Sequence, residues 1–165
     1  MNTDESLVFP ELIGLNDFGG DFEVFLAEAY TIFEQDFIKS NPIFEGVNVA
    51  VRRYPEMDGM HKTFYHITHE GEDESERTPD LRRIERIRFP KFMIDNNSHK
   101  EILLWKNKRG KDERTILFNE EENYIVVLTD RGQYYMFITA YLVEQEHRKR
   151  KLLKEYEAYK NAKTA

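Results

Sequence analysis

Two of the chain's five histidines stand three residues apart in Phe64-Tyr-His-Ile-Thr-His-Glu-Gly71. An imidazole takes and gives a proton near neutral pH, so a close pair is a candidate for acid and base chemistry. Thr63, Phe64, Tyr65 and Ile67 favour a strand, and Gly71 with the acidic run Glu72-Asp-Glu-Ser-Glu76 reads as a solvated turn. Alternation on a strand would set His66 beside Thr68 on the face opposite the core. His66-Ile-Thr-His69-Glu70 lacks the helical His-Glu-x-x-His spacing of a zinc pair, and a strand would splay the two imidazoles, so no metal and no cofactor is expected.

Asn16-Asp-Phe-Gly-Gly20 and Lys108-Arg-Gly110 match neither the phosphate-loop nor the dinucleotide fingerprint, and there is no cysteine and no Gly-x-Ser-x-Gly elbow. Metal-free general acid and base chemistry fits better. Cleaving an RNA backbone needs a base for the 2′-hydroxyl, an acid for the leaving oxygen, and cations or donors for the charge on phosphorus. Suitable residues gather at His66, residues 82–88, residues 106–114, and the pair Thr139 and Tyr141. Thr139 and Tyr141 lie two apart on a predicted strand, with Ile138 and Ala140 on its other face, and their hydroxyls make a shelf for phosphate and base.

A helix over residues 20–39 carries Phe22, Phe25, Leu26, Ala29, Phe33 and Phe37 on one stripe, with Asp17 or Asp21 as its cap. Residues 47–52 read as a strand and 54–59 as a turn into the His66 strand. Thr78-Pro79 is expected to start a short helix over 80–87 that Pro90 stops, with Leu81 and Ile84 inward, and 89–97 to add further helical turns. Residues 102–105 and 114–118 read as strands around a basic loop, 106–113, and 124–129 and 133–141 as a hairpin. A charged helix over 144–161 closes the chain, docked by Leu152, Leu153 and Tyr156, with His147-Arg-Lys-Arg-Lys151 as a solvated face. The expected class is α+β: an N-terminal helix, a mainly antiparallel twisted sheet of five or six strands, and a C-terminal helix. One domain is expected over 1–165, made of an acidic segment 1–45, a sheet core 46–142 and the last helix 143–165.

The formal charge of −7 is unevenly spread. Residues 1–49 hold ten acids against one lysine, whereas residues 81–115 hold eleven arginines and lysines against five acids. An anionic ligand can therefore meet a locally positive field on an acidic protein. No apolar run approaches the roughly 18 residues of a membrane span, and the Met1-Asn-Thr-Asp-Glu-Ser start lacks the features of a signal peptide, so a cytoplasmic protein without membrane contact is expected.

Thr63-Phe-Tyr-His66, Arg77-Thr-Pro-Asp-Leu-Arg-Arg-Ile-Glu-Arg-Ile-Arg-Phe-Pro90, Trp105 with Lys108-Arg-Gly110, Tyr124-Ile-Val-Val-Leu128, Tyr135-Met-Phe-Ile-Thr-Ala-Tyr141 and Lys151-Leu-Leu-Lys-Glu-Tyr156 occur in an order that resembles one family. It is the barnase, EndoU, colicin E5/D and RelE-like (BECR) nuclease superfamily of phages and mobile elements. The resemblance implies metal-independent RNA cleavage by a toxin-like or conflict protein. The candidate partners are RNA such as tRNA and a protein antidote, and both a monomer and a homodimer stay open. The resemblance further implies His66 as general acid or base, Arg83 and Arg86 on the phosphate, and Thr139 and Tyr141 on phosphate or ribose. His69, Arg82, Lys108, Arg109 and Arg114 would assist substrate binding. The alternative is a non-catalytic module of the same fold that binds nucleic acid or protein.

Overall fold

A computed structural model describes residues 5–73 and 76–164. Residues 1–4, and two members of the acidic run expected as a solvated turn, lie outside the described residues. Phe22–Phe33 forms helix α1, capped where the Asp21 carboxylate accepts the Val24 N–H, and its path continues as a wider helical turn through Glu34–Lys39. Phe25, Ala29, Phe33 and Phe37 are buried, as the 20–39 spacing predicts.

The wider turn carries an acid in an unfavourable place. Burial pushes the Asp36 carboxyl up to about 6, and Asp95 adds to the rise, against the opposing Lys91 and Arg88 charges. The folded state then holds this proton to higher pH than the unfolded chain, so stability falls as pH rises from about 4 through about 6. Asp36→Asn should therefore stabilise the protein by about 1–2 kcal/mol at pH 7.5 after allowance for solvent screening, with no gain at pH 4 in urea unfolding. An equal gain at both pH values would show that burial of the charge is not the cause.

Eight strands follow in chain order: β1 (Ile43–Phe44), β2 (Val47–Ala50), β3 (His69–Glu70), β4 (Thr78–Pro79), β5 (Leu103–Arg109), β6 (Asp112–Asn119), β7 (Tyr124–Asp130) and β8 (Tyr135–Leu142). Six of them form one sheet in the order β1-β2-β8-β7-β6-β5, and β3 pairs with β4 apart from it. The fold is α+β. Its main sheet is mixed, because β2 runs parallel to β8, with Val49 beside Tyr135; every other neighbouring pair is antiparallel.

Alternation sorts most strand residues onto two faces. Leu117, Val126, Leu128 and Phe137 pack with α1 and the short helices, while Trp105, Ile116, Phe118, Ile125 and Val127 form a second cluster on the opposite face. Helix α5 (Glu146–Thr164) covers part of that second face through Leu152, Leu153 and Tyr156.

Several expectations need correction. Residues 62–68 are not a strand but a helix, α2 (Lys62–Thr68), on which Phe64, Tyr65, Ile67 and Thr68 are all buried. Propensity is overridden here by packing and by capping from distant arginines. Thr68 therefore does not share an outer face with His66; it is fully buried, and its hydroxyl donates to the Phe64 carbonyl at 2.7 Å. Thr78-Pro79 forms β4, and the Asp80 carboxylate instead caps α3 (Leu81–Glu85), accepting the Arg82 and Arg83 N–H groups. Leu81 is exposed, and Pro90 opens α4 (Phe89–Asp95) instead of ending a helix. The basic loop shrinks to a tight turn at Gly110, so Lys106–Arg109 and Asp112–Arg114 belong to paired strands.

Candidate functional site

The uncovered part of the second sheet face is the floor of a cleft of about 290 Å³. Asn107 and Arg109 of β5, Arg114 and Ile116 of β6, Ile125 and Val127 of β7, and Thr139 and Tyr141 of β8 all reach it. The strand period brings them together: each set is two residues apart, and the registers Asn107 with Arg114, Val127 with Thr139 and Ile125 with Tyr141 align them across the sheet. One wall is α5, through Arg148, Leu152 and Glu155. The other is built by His66 of α2, Glu70 and Gly71 of the β3 end, Arg77, and Arg83 of α3.

Strand β8 reaches the floor through an irregularity. Val127 pairs with Thr139 and Leu128 with Phe137, so Ile138 is an extra residue in the ladder. A bulge of this kind aims two successive side chains the same way. Ile138 accordingly packs with the second cluster beside Tyr141, and only Ala140 faces the first, which corrects the expectation that Ile138 and Ala140 share a face.

The wall carrying His66 is held by cations. A helix C-terminus leaves carbonyl groups without intrahelical partners. Arg83 Nη1 donates to the His69 carbonyl at 2.9 Å and reaches that of His66 at 3.5 Å, and Arg77 Nη1 reaches the same two at 3.5 and 3.4 Å. Two positive groups at the end of α2 also suit its dipole. Arg83 further pairs with Asp80 at 3.4 Å and lies 5.8 Å from the Tyr141 ring centre. Gly71, at φ +136, allows the close passage of Arg77, whose Cα and Cγ would stand 3.4 Å from any Cβ there.

Charge in the cleft is strongly one-sided. Arg77, Arg83, Arg109, Arg114 and Arg148 face Glu70 and Glu155. Glu155 is already engaged, accepting hydrogen bonds from Trp105 Nε1 and Asn107 Nδ2, whereas Arg148 Nη2 donates to the Tyr141 hydroxyl at 3.3 Å. Among the described residues, the buried Nε donors of Arg77 and Arg114 have no hydrogen-bond partner, and the buried acceptor Oδ1 of Asn107 has no donor. Buried donors left open around a cleft are best satisfied by an anion bound in it.

Of the residues singled out in the sequence, His66, Arg83, Arg109, Arg114, Thr139 and Tyr141 therefore lie in one cleft. The others do not. His69 is buried, its ring stacked on Tyr65 at 4.0 Å and its Nδ1 within 2.9 Å of the Thr68 hydroxyl, and burial lowers its pKa. Lys108 alternates with Arg109 along β5 and borders a different depression. Arg82 is ion-paired with Glu144. Arg86 follows the last residue of α3 and turns to a separate hollow shared with Arg82 and Glu122, its Nη1 donating to the Arg82 carbonyl at 3.0 Å.

Arg77, Arg148, Glu70, Asn107 and Glu155 were not singled out as site residues. Arg148 sits in the run read as a solvated face, and nothing in its spacing marks it. Among the described residues no group of three or more histidine, aspartate or glutamate side chains is placed to hold a metal, and no helix is long and apolar enough to cross a membrane. No family model, curated protein or solved structure matches the chain at a significant level.

Proposed function

We propose that the protein cleaves RNA in this cleft by metal-independent acid and base chemistry. The observation that carries the reading is that His66 shares one open cleft with five arginines and the Thr139 and Tyr141 hydroxyls. The resemblance to the BECR superfamily points the same way. Glu70, the cleft carboxylate not engaged by Trp105 and Asn107, takes the proton of the ribose 2′-hydroxyl as the 2′-oxygen attacks phosphorus. The bond from phosphorus to the 5′-oxygen breaks, and His66 delivers a proton to that oxygen. The products are a 2′,3′-cyclic phosphate and a free 5′-hydroxyl. Arg114, Arg148 and Arg83 hold the charge that grows on the non-bridging oxygens, and Thr139 adds a neutral donor.

The same charge would also hold RNA without cutting it, and one experiment separates the two. Total RNA incubated with the protein in EDTA should be shortened, with cyclic phosphate at the new 3′ ends. Intact RNA that nevertheless shifts in a gel would leave a binding module. RNA neither cut nor bound at low salt would end the reading altogether.

A further inference from the structure

A smaller cavity, of about 140 Å³, also borders His66. It is lined by Met136, Phe137 and Ile138 of β8 and by Thr63, with Arg52 and Lys62 beside them. His66 is the one residue that lines both cavities. Two features of the fold create the space. The β2 ladder ends at Ala50, opposite Met136, so that beyond this point the edge of β8 away from β7 meets α2 and not another strand. The bulge then crowds Ile138 and Thr139 opposite Val127 and opens the strand surface at the same place.

We propose that this cavity is a subsite for one base of a nucleotide chain, that of a nucleoside joined to the phosphate in the main cleft. The inference rests on the reading of that cleft as a phosphate site. A chain held there by the arginines and serviced by His66 passes His66 on leaving, and the space it meets is apolar and of single-ring size. A flat base buries its faces against Met136 and Ile138, and the next phosphate meets Arg52 and Lys62. Arg52 is exposed and has no ion pair among the described residues. The Thr63 hydroxyl is occupied, accepting the Arg52 N–H at 2.8 Å and lying 3.3 Å from its carbonyl. The subsite therefore takes a base through burial and leaves its hydrogen-bonding edge unread.

The test is an NMR titration of the full chain with two phosphodiesters that lack a 2′-hydroxyl and cannot be cleaved by the proposed chemistry. They are dimethyl phosphate and thymidylyl-thymidine. Both should move the amide signals of Arg114 and Thr139, but only thymidylyl-thymidine should move those of Thr63, Met136 and Ile138. It should also bind about tenfold more tightly, the effect of burying some tens of Å² of the base's apolar surface. Ile138→Trp, which fills the cavity, should bring the two affinities within about twofold while leaving dimethyl phosphate binding unchanged; Met136→Trp serves if that variant does not fold. Cleft shifts without any response at 63, 136 and 138, or a tenfold preference that survives both fillings, would overturn the subsite alone. No shift in either cavity with either compound would overturn the cleft reading and the subsite together.

Discussion

His66→Ala should lower RNA cleavage in EDTA by about 10²- to 10⁴-fold, the usual worth of a positioned acid or base. The imidazole is half-buried on the cleft wall, so it is open to substrate yet fixed in direction by the helix that bears it. The substitution removes the ring but keeps the residue 66 carbonyl that Arg77 and Arg83 reach, and the buried side chains of α2 are untouched. Unfolding in urea should accordingly change by less than about 1 kcal/mol, as for replacements outside the core. A fluorogenic oligonucleotide read beside the unfolding curve tells lost chemistry from lost structure. Cleavage within threefold of wild type in a folded His66→Ala protein would move the acid and base roles to other groups.

Why this histidine was legible, while its setting was not, follows from where the information lies. The hairpin of β7 and β8, the apolar stripe of α1 and the charged last helix are local patterns, and each appears where the spacing puts it. Residues 63–68 are locally strand-like. Their helical state depends on Arg77 and Arg83, which cap α2 from beyond the loop, and on burial of Phe64 and Ile67, whose spacing of three suits a helix. The parallel contact of β2 with β8 joins segments some ninety residues apart and leaves no local trace.

The cleft shows the same division. Thr139 and Tyr141 could be paired by strand period, and the positive balance of residues 81–115 pointed to a local excess of cations, three of which, Arg83, Arg109 and Arg114, line the cleft. Which arginines turn toward it depended on facts set elsewhere. Lys108 and Arg109 are separated by a strand face, and Arg82, Arg83 and Arg86 by the end of a helix only five residues long. Arg148 was hidden in a run that looked like solvated surface because it meets the cleft only once α5 lies along the sheet.

Arg83→Lys should damage both the fold and the reaction, although it keeps the charge. A guanidinium presents donors in a plane and in several directions at once, and an ammonium on a flexible stem does not. At this position the plane binds the end of α2 through the His69 and His66 carbonyls, the start of α3 through Asp80, and β8 through the Tyr141 ring. The side chain is only 20 % exposed, so water replaces these contacts poorly. The expected loss is about 1–3 kcal/mol in urea unfolding, of the size found for charge-assisted hydrogen bonds. At a temperature where the variant stays folded, cleavage should still fall about tenfold or more, because His66 and the phosphate-holding groups lose their common brace. Lysine matching arginine in stability and rate alike would mean that charge alone is used here, and that α2 is held in place by its buried face without help from this arginine.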